Sequence, residues 1–506
     1  MGPSAVTRSR QRTSQLLQPI LRAYALGYLS TTTPKVLSCL RILWNNNDLS
    51  YRQKVEQLFR ALLSGIRLDS FPTFCASLVG GSTLLPFLVL KALQSACRRL
   101  GLNPASLGSK KVSRLIQLAA AFISAWFSFQ ILNQKPISLR NVSQNDTRQE
   151  MIGTQPSSGL SSHRRFELAG RTLDLTLFTT TRAIDSIVCI LWAWCHENLK
   201  GSSRWATVNS LGSKLADSAV FAASAAVVMW AWFYEPERLP RSYGRWIGEV
   251  AKVDERLIEA LRRARRNIFV YGKDTGQAPL LESMCKDFGW PAEWGDPAKT
   301  VPIPCEMVHM GCGPNCEKHA ISRFLRTFKF ACATYIPLQI AFRFRSIRSM
   351  QSVRRAVSDA LRSSSFLAAI VSLFYYSVCL SRTRLGPRLF SKEMVTPQMW
   401  DSGLCVGAGC AMCGWSILVE HAKKRQEIAL FVAPRAAATV LPRFYDQKVW
   451  LIPSNFPRTL LSCLAGYQYR ERAAFAVSAA VLLTCFRECP DMVRGVFGKI
   501  GRSIVN

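Results

Sequence analysis

The residues in this chain best placed to do chemistry are Cys305, His309, Cys312, Cys316 and His319, five thiol and imidazole donors in one short stretch. Zinc takes four such ligands, and close spacings of this kind build one arm of a zinc site. The spacing matches no standard finger, and no second arm is evident. Three readings therefore stay open: a zinc site, a disulfide such as Cys312–Cys316, or a compact cysteine-rich loop with neither. Cys410-Ala-Met-Cys413 lies in an apolar window, where cysteine behaves as a small hydrophobe. With only five histidines, no nucleophile elbow and no glycine-rich phosphate loop, the chain offers no conventional catalytic constellation. No catalytic residue is assigned, and no cofactor is expected beyond a zinc ion at that cluster.

A second pattern is ionic. Arg171, Asp174, Phe178, Arg182 and Asp185 are spaced 3, 4, 4 and 3 apart, which puts them on one face of a helix. Lys424, Glu427, Phe431 and Arg435 repeat the pattern, with Ala438 in place of the last acid. Charges in an apolar helix are costly, usually face the bundle interior, and are candidates for function. A helix lying at the headgroup boundary with its polar stripe in water is the other reading. If a solute moves through the bundle, Arg182 and Arg435 are expected to face one shared cavity and draw an anionic substrate.

The elements that must position these residues are long and greasy. Charge-free windows run over Phe71–Leu90, Leu115–Gln134, Ser218–Tyr234, Ser363–Ser381 and Ser402–Val419. A hydrocarbon core of about 30 Å needs roughly 20 apolar residues as helix, with about 17–25 tolerated. Weaker candidates at Phe330–Phe342, Ala473–Phe486 and Val449–Tyr469, with the two charged helices, raise the expected total to eight to ten membrane-embedded helices. The expected fold is an all-α polytopic membrane bundle. Within its last strong window Gly403, Gly407, Ala411 and Gly414 form a small-residue seam of the kind that lets helix backbones approach closely in lipid.

Similar segments recur in order. Phe221-Ala-Ala-Ser-Ala-Ala-Val-Val returns 254 residues later as Phe475-Ala-Val-Ser-Ala-Ala-Val-Leu, and Pro236 as Pro490. Thr172–Ala183 matches Arg425–Ala436, and Ser70-Phe71 with Ser77-Leu78 matches Ser365-Phe366 with Ser372-Leu373. The chain reads as two related halves: a basic N-terminal segment 1–47, a first membrane half 48–234 with a polar insert at 135–168, a hydrophilic linker 235–325 ending in the Cys/His stretch, a second membrane half 326–490, and a tail 491–506. In the linker, 253–266 reads as a surface helix and 272–304 mostly as loop.

The net charge of +33 on a soluble chain would point to nucleic acid. Here Arg98-Arg99, Lys110-Lys111, Arg262-Arg263 and Arg354-Arg355 lie between apolar windows, where basic residues set orientation and attract anionic lipid headgroups. The expected partners are therefore the bilayer and its anionic headgroups, with a homo-oligomer open and nucleic acid excluded. Most of the 17 cysteines are expected to be reduced. Residues 1–47 carry no acid, as in a mitochondrial targeting segment or a basic tail.

On Pro304-Cys-Glu-Met-Val-His-Met-Gly-Cys-Gly-Pro-Asn-Cys316, Tyr335-Ile-Pro337 and Arg425-Gln-Glu-Ile-Ala-Leu-Phe-Val-Ala-Pro-Arg435-Ala, echoed by Arg171-Thr-Leu-Asp-Leu-Thr-Leu-Phe178, the chain resembles the transmembrane protein 135 family. The likeness covers most of residues 300–485, with fainter echoes over 20–235. The membrane region of that family is similar to the channel subunits of mitochondrial inner-membrane translocases and to a small peroxisomal membrane protein. The resemblance implies a non-enzymatic multi-pass protein of mitochondrial or peroxisomal membranes, linked to organelle dynamics and lipid homeostasis, with solute or lipid transport open to it. It carries over no catalytic residue. A metal-dependent membrane enzyme using 305–319, or a translocase-like pore, is the alternative.

Overall fold

A computed structural model describes residues 5–45, 51–63, 65–68, 70–99, 109–133, 167–168, 172–199, 203–239, 241–343, 349–391, 393–441, 444–445 and 460–505. The described chain is helical apart from one two-residue antiparallel pairing, Glu167–Leu168 (β1) with Phe444–Tyr445 (β2). Among the described residues, six helices are long and apolar enough to cross a membrane: Phe71–Arg99, Lys111–Leu132, Leu173–Asn198, Leu215–Tyr234, Met350–Leu389 and Pro397–Val419. These take in the five charge-free windows, the second as far as Leu132, and the first charged helix. Ile184, Ile187, Val188, Leu191 and Trp194 make a continuous exposed apolar stripe on one of them. A soluble monomer rarely leaves such a surface in water, whereas lipid covers it at no cost. The chain is that of an integral membrane protein.

Two compact units divide the chain as 1–198 with 443–506, and 199–442. This division cuts across the boundaries expected from sequence, because the last membrane helix of each expected half lies in the other unit. The first unit contains α1 (Ala5–Asn45), α2 (Tyr51–Leu63), α3 (Phe71–Arg99), α4 (Lys110–Asn133) and α5 (Leu173–Asn198). The second contains α6 (Ser203–Tyr234), α7 (Arg241–Ala251), α8 (Glu255–Arg265), α9 (Ala278–Phe288), α10 (Cys316–Arg343), α11 (Met350–Cys379), α12 (Cys405–Cys413) and α13 (Ala422–Val440). The chain then returns to the first unit with α14 (Leu460–Glu488) and α15 (Gly495–Val505).

In the first unit the packing order is α1 on α3, α3 on α4, α4 on α14 and α14 on α5. Small and hydroxylated residues allow the close approaches. A Cβ on Gly81 would stand 2.3 Å from the Ser124 hydroxyl, and Ser77 and Ser128 hydroxyls meet at 2.9 Å across the same seam. Rings of Phe74 and Phe129 stack around Phe475 of α14, while the Thr172 hydroxyl donates to the Glu471 carboxylate at 2.7 Å. The N-terminal segment is not a detached tail. α1 packs so closely on α3 that a Cβ on Gly27 would stand 2.9 Å from Pro72 Cα. Pro72 itself sits in the first turn of α3, where its missing N–H costs nothing, and Pro86 is the proline inside the helix.

In the second unit the order is α10 on α11, α11 on α12, α12 on α6 and α6 on α13. Phe233 stacks on Phe374, and Phe221 packs on Phe366. The hydrophilic 254–304 stretch holds α8, started by Asp254 accepting from Arg256 N, with Leu257, Ile258, Ala260 and Ala264 turned inward. The stretch expected as loop contains α9, closed by Gly289 in the left-handed conformation. Leu281, Met284 and Cys285 of α9 join Phe269, Ile303 and Met307 in a small core of their own. The polar insert at 135–168 falls, apart from β1, outside the described residues.

Candidate functional site

Three groups in the second unit bring polar chemistry into an apolar frame. In the first, a turn at Cys305–Val308 follows Pro304, and His309 ends it. Met310, Gly311 and Gly313 then take φ of 49°, 82° and 85°, and these left-handed steps curl the chain tightly after His309. Asn315 accepts from the backbone N–H groups of Glu317 and Lys318 at 3.0 and 3.1 Å, capping α10. Cys316 thereby starts α10, while Cys379, the last residue of α11, arrives from another element. The ligand-type atoms of His309, Cys316 and Cys379 all lie within 4.8 Å of one another, and the three residues are buried. Cys305, at the start of the same turn, is half-buried and lies outside that trio.

The ring of His309 is oriented on both sides. Nδ1 lies 2.7 Å from the Gly313 carbonyl, so it carries the proton and donates; Nε2 faces Cys379 Sγ at 3.2 Å. His319 stacks on His309 with ring centroids 4.4 Å apart and meets Tyr375 edge-on. Burial pushes the His319 imidazole down to about 3, helped by His309 and the guanidiniums of Arg323 and Arg326. Burial also lowers His309, against the Gly313 carbonyl, which raises it. Neutral imidazole is the metal-binding form. Cys312 points elsewhere, its thiol 3.8 Å from the Ser322 hydroxyl. No disulfide joins the described cysteines, Cys312 and Cys316 among them.

The second group is an ion pair. Arg382 and Asp401 sit in two π-helical segments, 380–385 and 400–404, that widen the helix on either side of the connection. Arg382 Nε and Nη2 approach the two Asp401 oxygens at 2.7 and 2.8 Å. The Tyr271 hydroxyl donates to Asp401 as well, and accepts from Ile303 N at 3.2 Å. With Arg382 8% and Asp401 1% exposed, the charges are removed from solvent and satisfied by each other.

The third is a cavity of about 480 Å³ bounded by α6, α7, α10, α11 and α13. Its walls are apolar, among them Phe221, Trp232, Ile370 and Phe374, and one portion is ionic. There the Ser363 hydroxyl donates to buried Glu420, and Lys424 Nζ stands 3.1 Å from Ser363 Oγ and 3.8 Å from Glu420. Glu427 is on the same lining.

The charged stripes are divided between environments. Arg171 lies outside the described residues. Asp174 is exposed, Arg182 is buried, and Asp185 pairs with Arg494, just before α15. Arg182 stands over the rings of Phe178 and Phe497, all within the first unit. Lys424 and Glu427 line the cavity, whereas Arg435 lies over Phe431 and Tyr243 and donates to the Phe431 carbonyl at 2.8 Å. Each arginine is held by aromatic rings of its own unit. On the small-residue seam, Gly403 and Gly407 face Trp230, and Gly414 meets the backbone of Ala222, all on α6. Ala411, one turn after Gly407 on α12, is exposed. Gly409 packs instead on Phe374 and Val378 of α11.

Sequence reasoning passed over Cys379, which looks like any apolar-window cysteine, and the pair Arg382–Asp401. A signal for the pair was present: the charge-free windows stop one residue short of each. No family model, no curated protein and no solved structure matches this chain.

Proposed function

We propose that this chain is a non-enzymatic, multi-pass organelle membrane protein of the transmembrane protein 135 type that binds an amphipathic lipid in membrane lipid homeostasis. The observation that carries the reading is the cavity of the second unit, about 480 Å³, apolar over most of its wall and ionic at Ser363, Glu420 and Lys424. Small-molecule sites span roughly 300–1,000 Å³ and combine apolar walls with a few convergent polar groups. An acyl chain satisfies the first part, and a polar headgroup that accepts from Lys424 or donates to Glu420 satisfies the second. Basic loops that attract anionic headgroups would hold the protein where such lipids are abundant.

A duplicated architecture with an exchanged helix is part of this reading. Placing α10, α11, α12, α6 and α13 beside α1, α3, α4, α14 and α5 gives the same packing order in both units. After α6 and α14 the chain turns at Glu235 with φ −139°, ψ 58° and at Cys489 with φ −137°, ψ 61°. Internal repeats of this kind recur in transporters, with sites at the interface of repeats. Mitochondrial or peroxisomal membranes are the proposed location.

The experiment is lipid capture. Purified full-length protein should retain lipid extractable by organic solvent and should label with a photoactivatable fatty acid. Ala225→Trp, which fills the cavity, should abolish labelling while the protein stays monodisperse. Equal labelling of wild type and this variant would exclude the cavity as the lipid site.

A further inference from the structure

We propose that Cys305, His309, Cys316 and Cys379 bind one zinc ion in a closed Cys3His site that ties the 305–316 segment to the end of α11. The proposal is independent of the lipid reading. Its ground is convergence from separated parts of the chain: a turn residue, the residue ending that turn, the first residue of α10 and the last of α11. Three of the four have ligand atoms within 4.8 Å of one another. A tetrahedral zinc with Zn–S of about 2.3 Å and Zn–N of about 2.0–2.1 Å sets its ligand atoms roughly 3.5–3.8 Å apart, so small side-chain rotations close the site. Cys305, which opens the turn that His309 ends, is the fourth ligand; it lies outside the trio and must swing in on binding.

The imidazole is set up as a ligand. A metal-binding histidine characteristically donates its other ring N–H to a carbonyl or carboxylate, which fixes the tautomer and aims the free nitrogen. His309 does this through Nδ1 to Gly313, and its Nε2 points at Cys379. Three sulfurs and one imidazole are a soft donor set that favours zinc over magnesium or calcium. Four protein ligands leave no open position, so the site is structural rather than hydrolytic. On binding, each of the three thiols releases its proton to solvent, and three thiolates with Zn²⁺ leave a net charge of −1. His319 lies behind His309 as a stacking partner, and Cys312 faces Ser322; neither is a ligand.

The test is metal content of the full-length protein purified in detergent under reducing conditions. Wild type should hold one zinc per chain by mass spectrometry. Cys305→Ser, Cys316→Ser and Cys379→Ser should each lower that by at least about tenfold, the lower end of the loss seen when a metal site is weakened. Cys312→Ser and His319→Gln should retain it, and Cys379→His should restore what Cys379→Ser loses. If the serine variants do not fold, wild type loaded with cobalt decides. Thiolate-to-cobalt charge-transfer absorption of three-sulfur intensity supports the site, and its absence overturns it. Wild type that neither carries zinc nor takes it up from added zinc chloride overturns the proposal. So does loss of zinc in His319→Gln with retention in Cys305→Ser.

Discussion

The guanidinium carbon of Arg182 lies 5.7 Å from the centre of the Phe497 ring, so a helix near the C-terminus closes over a charge carried by α5. Phe178, one turn before Arg182, supplies the other ring at 5.4 Å. Arg435 has the same surroundings from Phe431 and Tyr243. A cation over an aromatic face gains about 0.5–2 kcal/mol according to its desolvation, and Arg182 is well buried. Phe497→Ala should therefore lower the thermal stability of the purified protein by about 1–3 kcal/mol, ring burial included, while Phe497→Tyr should hold near wild type. Wild-type melting of Phe497→Ala would show that Arg182 does not depend on that ring.

Arg382 and Asp401 make a stronger case, because both are withdrawn from water. Removing one partner of a buried pair leaves the other charge uncompensated and costs about 3–5 kcal/mol, whereas replacing both with apolar residues is often neutral. Asp401→Leu is expected to reduce folded yield sharply. Arg382→Met combined with Asp401→Leu should recover most of it. Tyr271→Phe should cost about 2–4 kcal/mol, because it removes two hydrogen bonds, one of them to a carboxylate. Detergent-solubilised yield and melting temperature of the four proteins check this, and a double variant as damaged as the single one would contradict it.

Gly414 tests helix packing. A Cβ there would stand 2.4 Å from the Ala222 Cα on α6, and backbone cannot rotate away as a side chain can. Gly414→Ala should force α12 and α6 apart and cost about 1–3 kcal/mol by overpacking. Ala411→Leu, at an exposed position beside it, should be tolerated in melting measurements made in the same detergent. Equal tolerance of both substitutions would remove the assigned seam.

How far these features could be seen in advance depends on the range of the interaction. Phe71–Leu90 and Ser363–Ser381 announce membrane helices because twenty or so residues without charge are a local property. The echo of Phe221 in Phe475 was equally local. That α14 packs between α4 and α5 was not legible, since apolar periodicity says which face is buried but not against what. Cys379 was invisible for the same reason: nothing near it in sequence marks it, and only folding brings it to His309. Ala411 makes the same point: it stands one turn after Gly407 on α12 yet is exposed, so a four-residue repeat of small residues does not say which of them a partner covers.

Asp254 provides a test outside the membrane helices. It caps α8 by accepting from Arg256 N at 2.9 Å and receives the Arg256 side chain at 3.0 and 2.8 Å. Hydrogen bonding from the Arg256 side chain lowers its carboxyl below the ordinary 3.8, against burial, which raises it; the Arg256 N–H adds to the lowering. Because the folded value lies below the unfolded one, the cap's contribution is present in full above 3.8 and disappears as pH falls through the lower folded value. Asp254→Ala should cost about 1 kcal/mol at neutral pH, the usual worth of an N-cap. The gap between variant and wild type should narrow only once the medium is more acidic than 3.8. Arg256→Ala should bring that narrowing to higher pH, since it removes the group that keeps the carboxylate ionised. Melting curves of the three proteins across an acid series decide the matter: a gap that stays constant with pH would mean that Asp254 acts through packing rather than charge.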